Sequence, residues 1–352
     1  MQGRSKLPST RTSHRSFGRN VAVAAVLVLI LSLPACHRLA PNTSGIVDRS
    51  EASAEPVRLV YLGSGGWIFE RGTDQLLAAP LFSNPGLLTT GLLGIRSKPA
   101  VVDSFMSKYD VADAVAILVG HAHYDHLMDV PRVATTHAPD ARIVGSTTVK
   151  NTLGTWSGVS HRVDVVNDSA GDQRTEGRWL RYGSGIRIMA LRSFHAPHSD
   201  GYTLYQGSRA RALTEEPALA TEWLDGQTHA YLVDFVDPDG SVAFRIYYQD
   251  AVAPPPAGFA PESIIAQHAV DVAILVPATF DQVDWHPEAF IENLRPKRVI
   301  LGHWETFFGP PRSPAVAIEF ADIAHFESRL VRVFDGEWWR PDLFAEFLFP
   351  SG

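Results

Sequence analysis

The chain has a single cysteine, Cys36, in 352 residues, so no disulfide within it can staple the fold. It has no Lys/Arg run beyond the N-terminus and no basic stripe interleaved with aromatics. With a formal net charge of -7, that speaks against a nucleic-acid partner. No internal repeat recurs at a constant period, and no low-complexity segment stands outside residues 37–56. What remains is ordinary globular composition, 45% hydrophobic and 20% charged, with enough length for a sizeable core in one large domain or two smaller ones.

The N-terminus reads as a targeting segment. Arg4, Lys6, Arg11, Arg15 and Arg19 precede the apolar run VAVAAVLVLILSL, Val21 to Leu33. That run fits the ~7–15 residues of a secretory h-region and falls short of the ~20 that span a bilayer. It ends in LPAC, Leu33 to Cys36, which resembles a bacterial lipoprotein signal with Cys36 as the lipidated residue. A plain signal peptide or an uncleaved anchor is the other reading. On the lipoprotein reading, residues 1–35 are the signal and residues 36–56, polar and rich in small side chains, are a flexible tether. The body, 57–352, would then be held at the bacterial cell envelope by one acyl-bearing cysteine. His37 after the cysteine mildly favours the outer membrane.

From Val57 the pattern turns to short strands: VRLVYLG, then WIFE, then QLLAAPLF. VVDSFMSKY reads as a helix and DAVAILVG as a strand buried on both faces. ARIVGS, IRIMALRSF, AYLVDF, VAFRIYYQD, VDVAILVPA and KRVILGH read as further strands, with a Pro-Asp-Gly hairpin turn between AYLVDF and VAFRIYYQD. PESIIAQH, HPEAFIENL and SPAVAIEFADIAHFESRL read as helices, the last opened by Ser313-Pro314. The segment 207–226 matches no template and reads as an excursion, either a lid over the site or a surface insertion. Strands lead in the first half and alternate with helices in the second. The expected fold is α/β, sheets packed together with helices outside, in one integrated domain.

The stretch ILVGHAHYDHLMD, Ile117 to Asp129, carries the chemistry. His121, His123, Asp125 and His126 crowd together just past a buried strand, where a loop presents side chains on a rigid base. Several imidazoles and a carboxylate that converge repel one another when protonated and add little to a core. On a divalent cation they become good ligands. In an extended H-x-H, alternate residues point the same way, so His121 and His123 can grip one metal together while Asp125 and His126 reach a second.

The pattern H-x-H-x-D-H resembles that of the metallo-β-lactamase superfamily, and the resemblance extends over most of Val57 to Gly352. It implies an αββα sandwich and further ligands after later strands: His195 in IMALRSFHAPHS, Asp250 in VAFRIYYQDAV and His303 in RVILGHWETF. It further implies one metal held by His121, His123 and His195 and another by Asp125, His126 and His303, with Asp250 bridging. With no cysteine at the site, the set looks like that of the phosphodiesterase and lactonase branches. The C-terminal DWHPEAFIENLRPKRVILGHWETFF is similar to the branch of N-acylphosphatidylethanolamine-hydrolysing phospholipase D and ascorbate-6-phosphate lactonase. Glu305 stands where that branch usually has Gly, Asp284 where many members have His, and Ala79 where it has Asp.

The resemblance implies a hydrolase in which a metal-bridging hydroxide attacks a phosphodiester or a cyclic or acyl ester, with Asp125 and Asp250 as catalytic residues. The phosphodiesterase or phospholipase-D-like activity is favoured over a lactonase or β-lactam hydrolase, and a non-catalytic metal-binding lipoprotein is the alternative from another class. The expected cofactor is two divalent ions, Zn²⁺ foremost, with Mn²⁺ and Fe²⁺ suiting the same ligands. The expected partner is a small-molecule or lipid-derived substrate. His198, Trp304 and Phe307 are candidate pocket residues, with Phe308 near the same mouth. Trp67, His229, His268 and His286 read as structural.

Overall fold

A computed structural model describes residues 39–50 and 55–352. The signal-type segment and Cys36 lie outside the described residues. The first half of the chain supplies β1 (Ile46–Asp48), β2 (Val57–Gly63), β3 (Gly66–Arg71), β4 (Asp74–Ala78), β5 (Ala116–Leu118), β6 (Arg142–Gly145) and β7 (Val163–Val165). The second half supplies β8 (Leu180–Tyr182), β9 (Ile186–Arg192), β10 (His229–Val236), β11 (Val242–Tyr248), β12 (Val272–Leu275), β13 (Arg298–Leu301), β14 (Glu337–Trp339) and β15 (Glu346–Phe349).

These form two mixed sheets, ordered β1-β15-β2-β3-β4-β5-β6-β7 and β14-β13-β12-β11-β10-β9-β8. Only β15 returns to the sheet of the first half, pairing antiparallel with β2. The sheets meet face to face: the rings of Phe69 and Tyr248 lie 6.1 Å apart, as do those of Phe244 and Phe349. Tyr231 Oη donates across the interface to the carbonyls of Val119 (2.8 Å) and Val144 (3.1 Å). One continuous apolar core results, so the α/β sandwich is a single domain, with its helices in the connections between strands.

The runs that lack alternation are the ones buried on both faces, as in β5, β10 and β12, where every residue is buried. The Pro-Asp-Gly turn forms as its residues require. Gly240 takes φ +88°, and Asp239 Oδ1 accepts the Ser241 N–H at 2.9 Å.

Two expectations are corrected. The folded body begins upstream of Val57: β1 pairs in parallel with β15, and the Arg340 guanidinium donates to the Ala40 carbonyl at 2.8 Å. A polar stretch can do this because an edge strand is held by backbone hydrogen bonds, which need no apolar side chain. The last helix begins at Ile323 rather than Ser313, with the Asp322 side chain accepting the His325 N–H at 3.0 Å. Upstream, backbone groups are used elsewhere: Thr306 N–H donates to Val316 O, and Asp342 accepts from Ser313 Oγ and Ala315 N–H.

Strand direction places the site. β11, β12 and β13 run parallel, and β9 shares their direction because both β9 and β11 are antiparallel to β10. His195, Asp250 and His303 therefore follow the same end of one sheet. The His121 loop follows β5 from the other sheet.

Candidate metal centre

Seven side chains converge where these loops meet. His121 Nε2 lies 3.1 Å from His123 Nδ1, and the His195 ring is centred 4.8 Å from that of His121 and 5.1 Å from that of His123. Beside them, Asp125 Oδ2 lies 3.2 Å from His126 Nε2 and 3.3 Å from His303 Nε2. In three groups, His121–His123–His195, Asp125–His126–His303 and His121–His126–Asp250, the potential ligand atoms lie within 4.8 Å of one another. Two ligand atoms bound tetrahedrally to one Zn²⁺ at ~2.0–2.1 Å would be about 3.3 Å apart, so the spacing suits a shared cation.

Hydrogen bonds behind the rings decide which nitrogen is free. His195 Nδ1 lies 2.6 Å from the Ala196 carbonyl, which only accepts, so its proton sits there and Nε2 carries a lone pair. His121 Nδ1 is 3.0 Å from Asp250 Oδ1, with the same consequence. His123 Nε2 and His303 Nδ1 are buried without a hydrogen-bond partner. Those rings are thus fixed by packing and by what their other nitrogens face. The donor set, nitrogen and oxygen with no thiolate, fits two divalent cations.

Asp250, expected to bridge the two cations, groups with His121 and His126. Its Oδ2 accepts the Gly120 N–H at 2.8 Å and lies 3.6 Å from His126 Nδ1. The carboxylate therefore stands on the Nδ1 side of His121 and His126, behind the rings rather than between their Nε2 atoms. There it orients the His121 imidazole by a hydrogen bond, while His126 Nδ1 has no hydrogen-bond partner. Gly120 is required beneath it, because a Cβ there would lie 2.1 Å from Asp250 Oδ1.

Charge follows from burial and neighbours. Burial, reinforced by adjacent imidazoles, holds His121 and His123 well below the usual histidine value. Burial, then His198, lowers His195 to about 3. These three are neutral near pH 7, as ligands must be. Burial pushes Asp125 up, but His126 and His303 outweigh it and hold the carboxyl well below its ordinary value. For His126, burial pushes down, and Asp125 and Asp250 together outweigh it. Asp250 is raised by burial.

Of the pocket candidates, His198 is present, its ring stacked at 4.6 Å on His195. Phe307 is present too, 4.9 Å from the His303 ring, and it packs 4.6 Å from Phe308. Trp304 is not at the mouth. It is fully buried, donates from Nε1 to the Pro341 carbonyl at 3.0 Å and lies under the Arg340 guanidinium. Neighbouring residues at a strand exit point opposite ways, and His303 takes the site-facing place.

Sequence reasoning missed Asp225, Tyr205 and Tyr61. The Asp225 carbonyl accepts the Ala122 N–H at 2.9 Å, and its Oδ1 accepts the Gly207 and Gly226 N–H groups. The two ends of the excursion 207–226 are thereby tied to each other and, through Asp225, to the His121–His123 loop; Trp223 within it is buried. Tyr205 sets its ring edge-on to His123 at 6.1 Å. An Asp-Gly pair in a loop gave no sign of this.

The histidines read as structural behave so. Trp67 is likewise core, fully buried. His268 Nε2 contacts Asp271 Oδ2 at 2.9 Å, and His229 is buried at the start of β10. His286 is fully buried between Phe290 and Phe326, with Nε2 3.0 Å from the Val276 carbonyl, and burial lowers it to about 4. An unfolded histidine takes up its proton as pH falls through ~6.5, while the folded chain resists until about 4. The unfolded state therefore binds more protons in that window, and stability is lost as pH falls from 6.5 to 4. His286→Phe should remove that loss. The unfolding free energies of variant and wild type, measured in urea, should shift relative to each other by on the order of 3 kcal/mol between pH 7 and pH 4. A constant difference would mean His286 is charged in the folded chain.

No family model and no curated protein matches the chain. Among solved structures, it is similar to a metallo hydrolase from the hyperthermophilic archaeon Ignicoccus hospitalis KIN4/I, at 15% identity and TM-score 0.49, over 84% of this chain and 98% of that one. It is similar to the metallo-β-lactamase fold protein YhfI from Bacillus subtilis, at 13% identity and TM-score 0.46, over 83% and 99%. It is also similar to an isothiocyanate hydrolase from Delia radicum gut bacteria, at 13% identity and TM-score 0.49, over 84% and 100%.

Proposed function

We propose that this chain is a dinuclear metal-dependent hydrolase acting on a phosphodiester or cyclic ester, with phosphodiester hydrolysis favoured. The observation that carries the proposal is the pair of adjacent ligand triads built from imidazole and carboxylate alone. His121, His123 and His195 would hold one cation, and Asp125, His126 and His303 the other. Two such ions, when bound, supply Lewis acidity and a water whose pKa is lowered towards neutrality.

The chain's own residues supply binding and orientation. Asp250 fixes the His121 ring from behind. His198 Nδ1 accepts the Leu204 N–H at 3.1 Å, and burial lowers its pKa to about 4, so its proton sits on Nε2. His198 is thereby an uncharged donor for a substrate oxygen beside His195. Phe307 forms an apolar wall against His303, and the exposed Phe194 and Tyr202 flank His195 and His198 along the chain. Such surfaces suit a substrate with an apolar portion, and the anchor expected at Cys36 would keep lipid-derived substrates within reach.

The test is elemental analysis of the purified full-length chain together with hydrolysis of bis-(p-nitrophenyl) phosphate, with lactones and β-lactams assayed in parallel. About two divalent ions per chain, with turnover lost on chelation and restored by metal, is expected. Turnover confined to lactones or β-lactams would move the assignment to those substrates. Two metals without any turnover would favour the non-catalytic binding protein, and no metal after reconstitution would overturn both.

A further inference from the structure

Glu305 is a buried carboxylate with no arginine or lysine partner among the described residues, two residues past a predicted metal ligand. Burying an anion is costly unless hydrogen bonds compensate it, so its contacts carry information. Its Oε1 accepts the Ser64 N–H at 2.6 Å, and its Oε2 accepts the Tyr61 hydroxyl. That hydroxyl in turn accepts the His303 N–H at 3.0 Å. Both backbones it ties are strained, with Ser64 at φ +53° and His303 at φ +51°, where non-glycine residues rarely sit. The carboxylate thus links the turn between β2 and β3 to the backbone of His303.

That turn touches the other two members of the same triad. Ser64 Oγ lies 3.4 Å from the Asp125 carbonyl. Gly65 packs so closely on His126 that a Cβ there would stand 2.5 Å from Nδ1. Tyr61, Ser64, Gly65 and Glu305 therefore contact Asp125, His126 and His303, and they make no hydrogen bond to His121, His123 or His195 among the described residues.

We infer that Tyr61 and Glu305 form a positioning pair that sets the metal affinity of the Asp125–His126–His303 triad and leaves the other triad unaffected. The inference rests on the two-cation reading above. The pair holds the His303 backbone in its left-handed conformation, which aims the imidazole at Asp125, and it clamps the turn that backs His126. A carboxylate is needed because it accepts two hydrogen bonds at once. The amide of Gln has one acceptor oxygen and so cannot accept from both Ser64 and Tyr61 at the two positions the carboxylate oxygens occupy.

The test is competitive chelator titration of zinc from the purified full-length chain, for wild type, Tyr61→Phe, Glu305→Gln and the double variant, with circular dichroism as the check on folding. Each single variant should weaken one of the two zinc sites about 10–100-fold and leave the other within about twofold. The double variant should cost little more than the worse single one, because the two groups act as a unit. Should one variant not fold, the other carries the test. Two tight sites in every variant, equal weakening of both sites, or unfolding of both single variants would each overturn the inference. A wild type that binds no zinc would instead sink the two-cation reading itself.

Discussion

Asp125→Ala should reduce hydrolysis by at least roughly 10³-fold and release one of the two metals while the other stays bound. The asymmetry follows from where the carboxylate sits. Asp125 Oδ2 is the only oxygen of its triad, 3.2 Å from His126 Nε2 and 3.3 Å from His303 Nε2, and it takes no part in the His121–His123–His195 set. Removing it leaves two imidazoles, too few ligands and no carboxylate to hold a divalent cation against chelation. Asp125→Asn separates the two contributions: it keeps the shape and one oxygen but loses the charge, and it should lose the same metal with the fold intact. Elemental analysis before and after dialysis against a mild chelator reads the stoichiometry, and the bis-(p-nitrophenyl) phosphate assay reads the rate. Retention of two metals and near wild-type turnover in Asp125→Ala would mean the second triad is not a metal site.

Asp234→Ala should cost about 3–5 kcal/mol of stability, more than any surface ion pair in the molecule. Asp234 on β10 lies directly opposite Arg187 on β9 and Arg245 on β11. Arg245 is fully buried: its Nε and Nη2 grip the two oxygens of Asp234 at 2.6 and 2.8 Å, and its Nη1 donates to the carbonyls of Ile264 and His268. Taking away the carboxylate leaves the Arg245 guanidinium buried in the sheet with two carbonyls and the Trp179 ring, and leaves Arg187 without its carboxylate. By contrast, the exposed Arg49–Glu337 pair should contribute about 0–1 kcal/mol. Urea unfolding of Asp234→Ala and Arg49→Ala measures both. Equal, small effects would show that water reaches Arg245. Two of these strands, β9 and β11, lead to His195 and Asp250.

The sequence alone determined the strands that are buried on both faces, because an uninterrupted apolar run such as AILV has few other places to go. It also determined the hairpin at Pro238-Asp239-Gly240 and the crowding of His121, His123, Asp125 and His126 behind β5. Those signals are local: a period, a turn residue, a spacing of ligands within one loop. His195, Asp250 and His303 were nominated by the family resemblance, which places further ligands after later strands.

Only the tertiary structure decided which nitrogens those residues offer and what stands behind them. Asp250 faces Nδ1 atoms because its oxygens are drawn to the Gly120 N–H and to His121 Nδ1, a contact between segments about 130 residues apart. Glu305 looked like a departure from a family pattern, yet it joins Tyr61 and Ser64 across more than 240 positions. Trp304, beside a ligand in sequence, turned out to belong to the core, and Ile46–Asp48 pairs with β15 rather than hanging free. Periodicity and spacing report on a residue's own few neighbours. Hydrogen-bond partners and burial depend on which strands happen to lie side by side, and chain closure over long separations settles that.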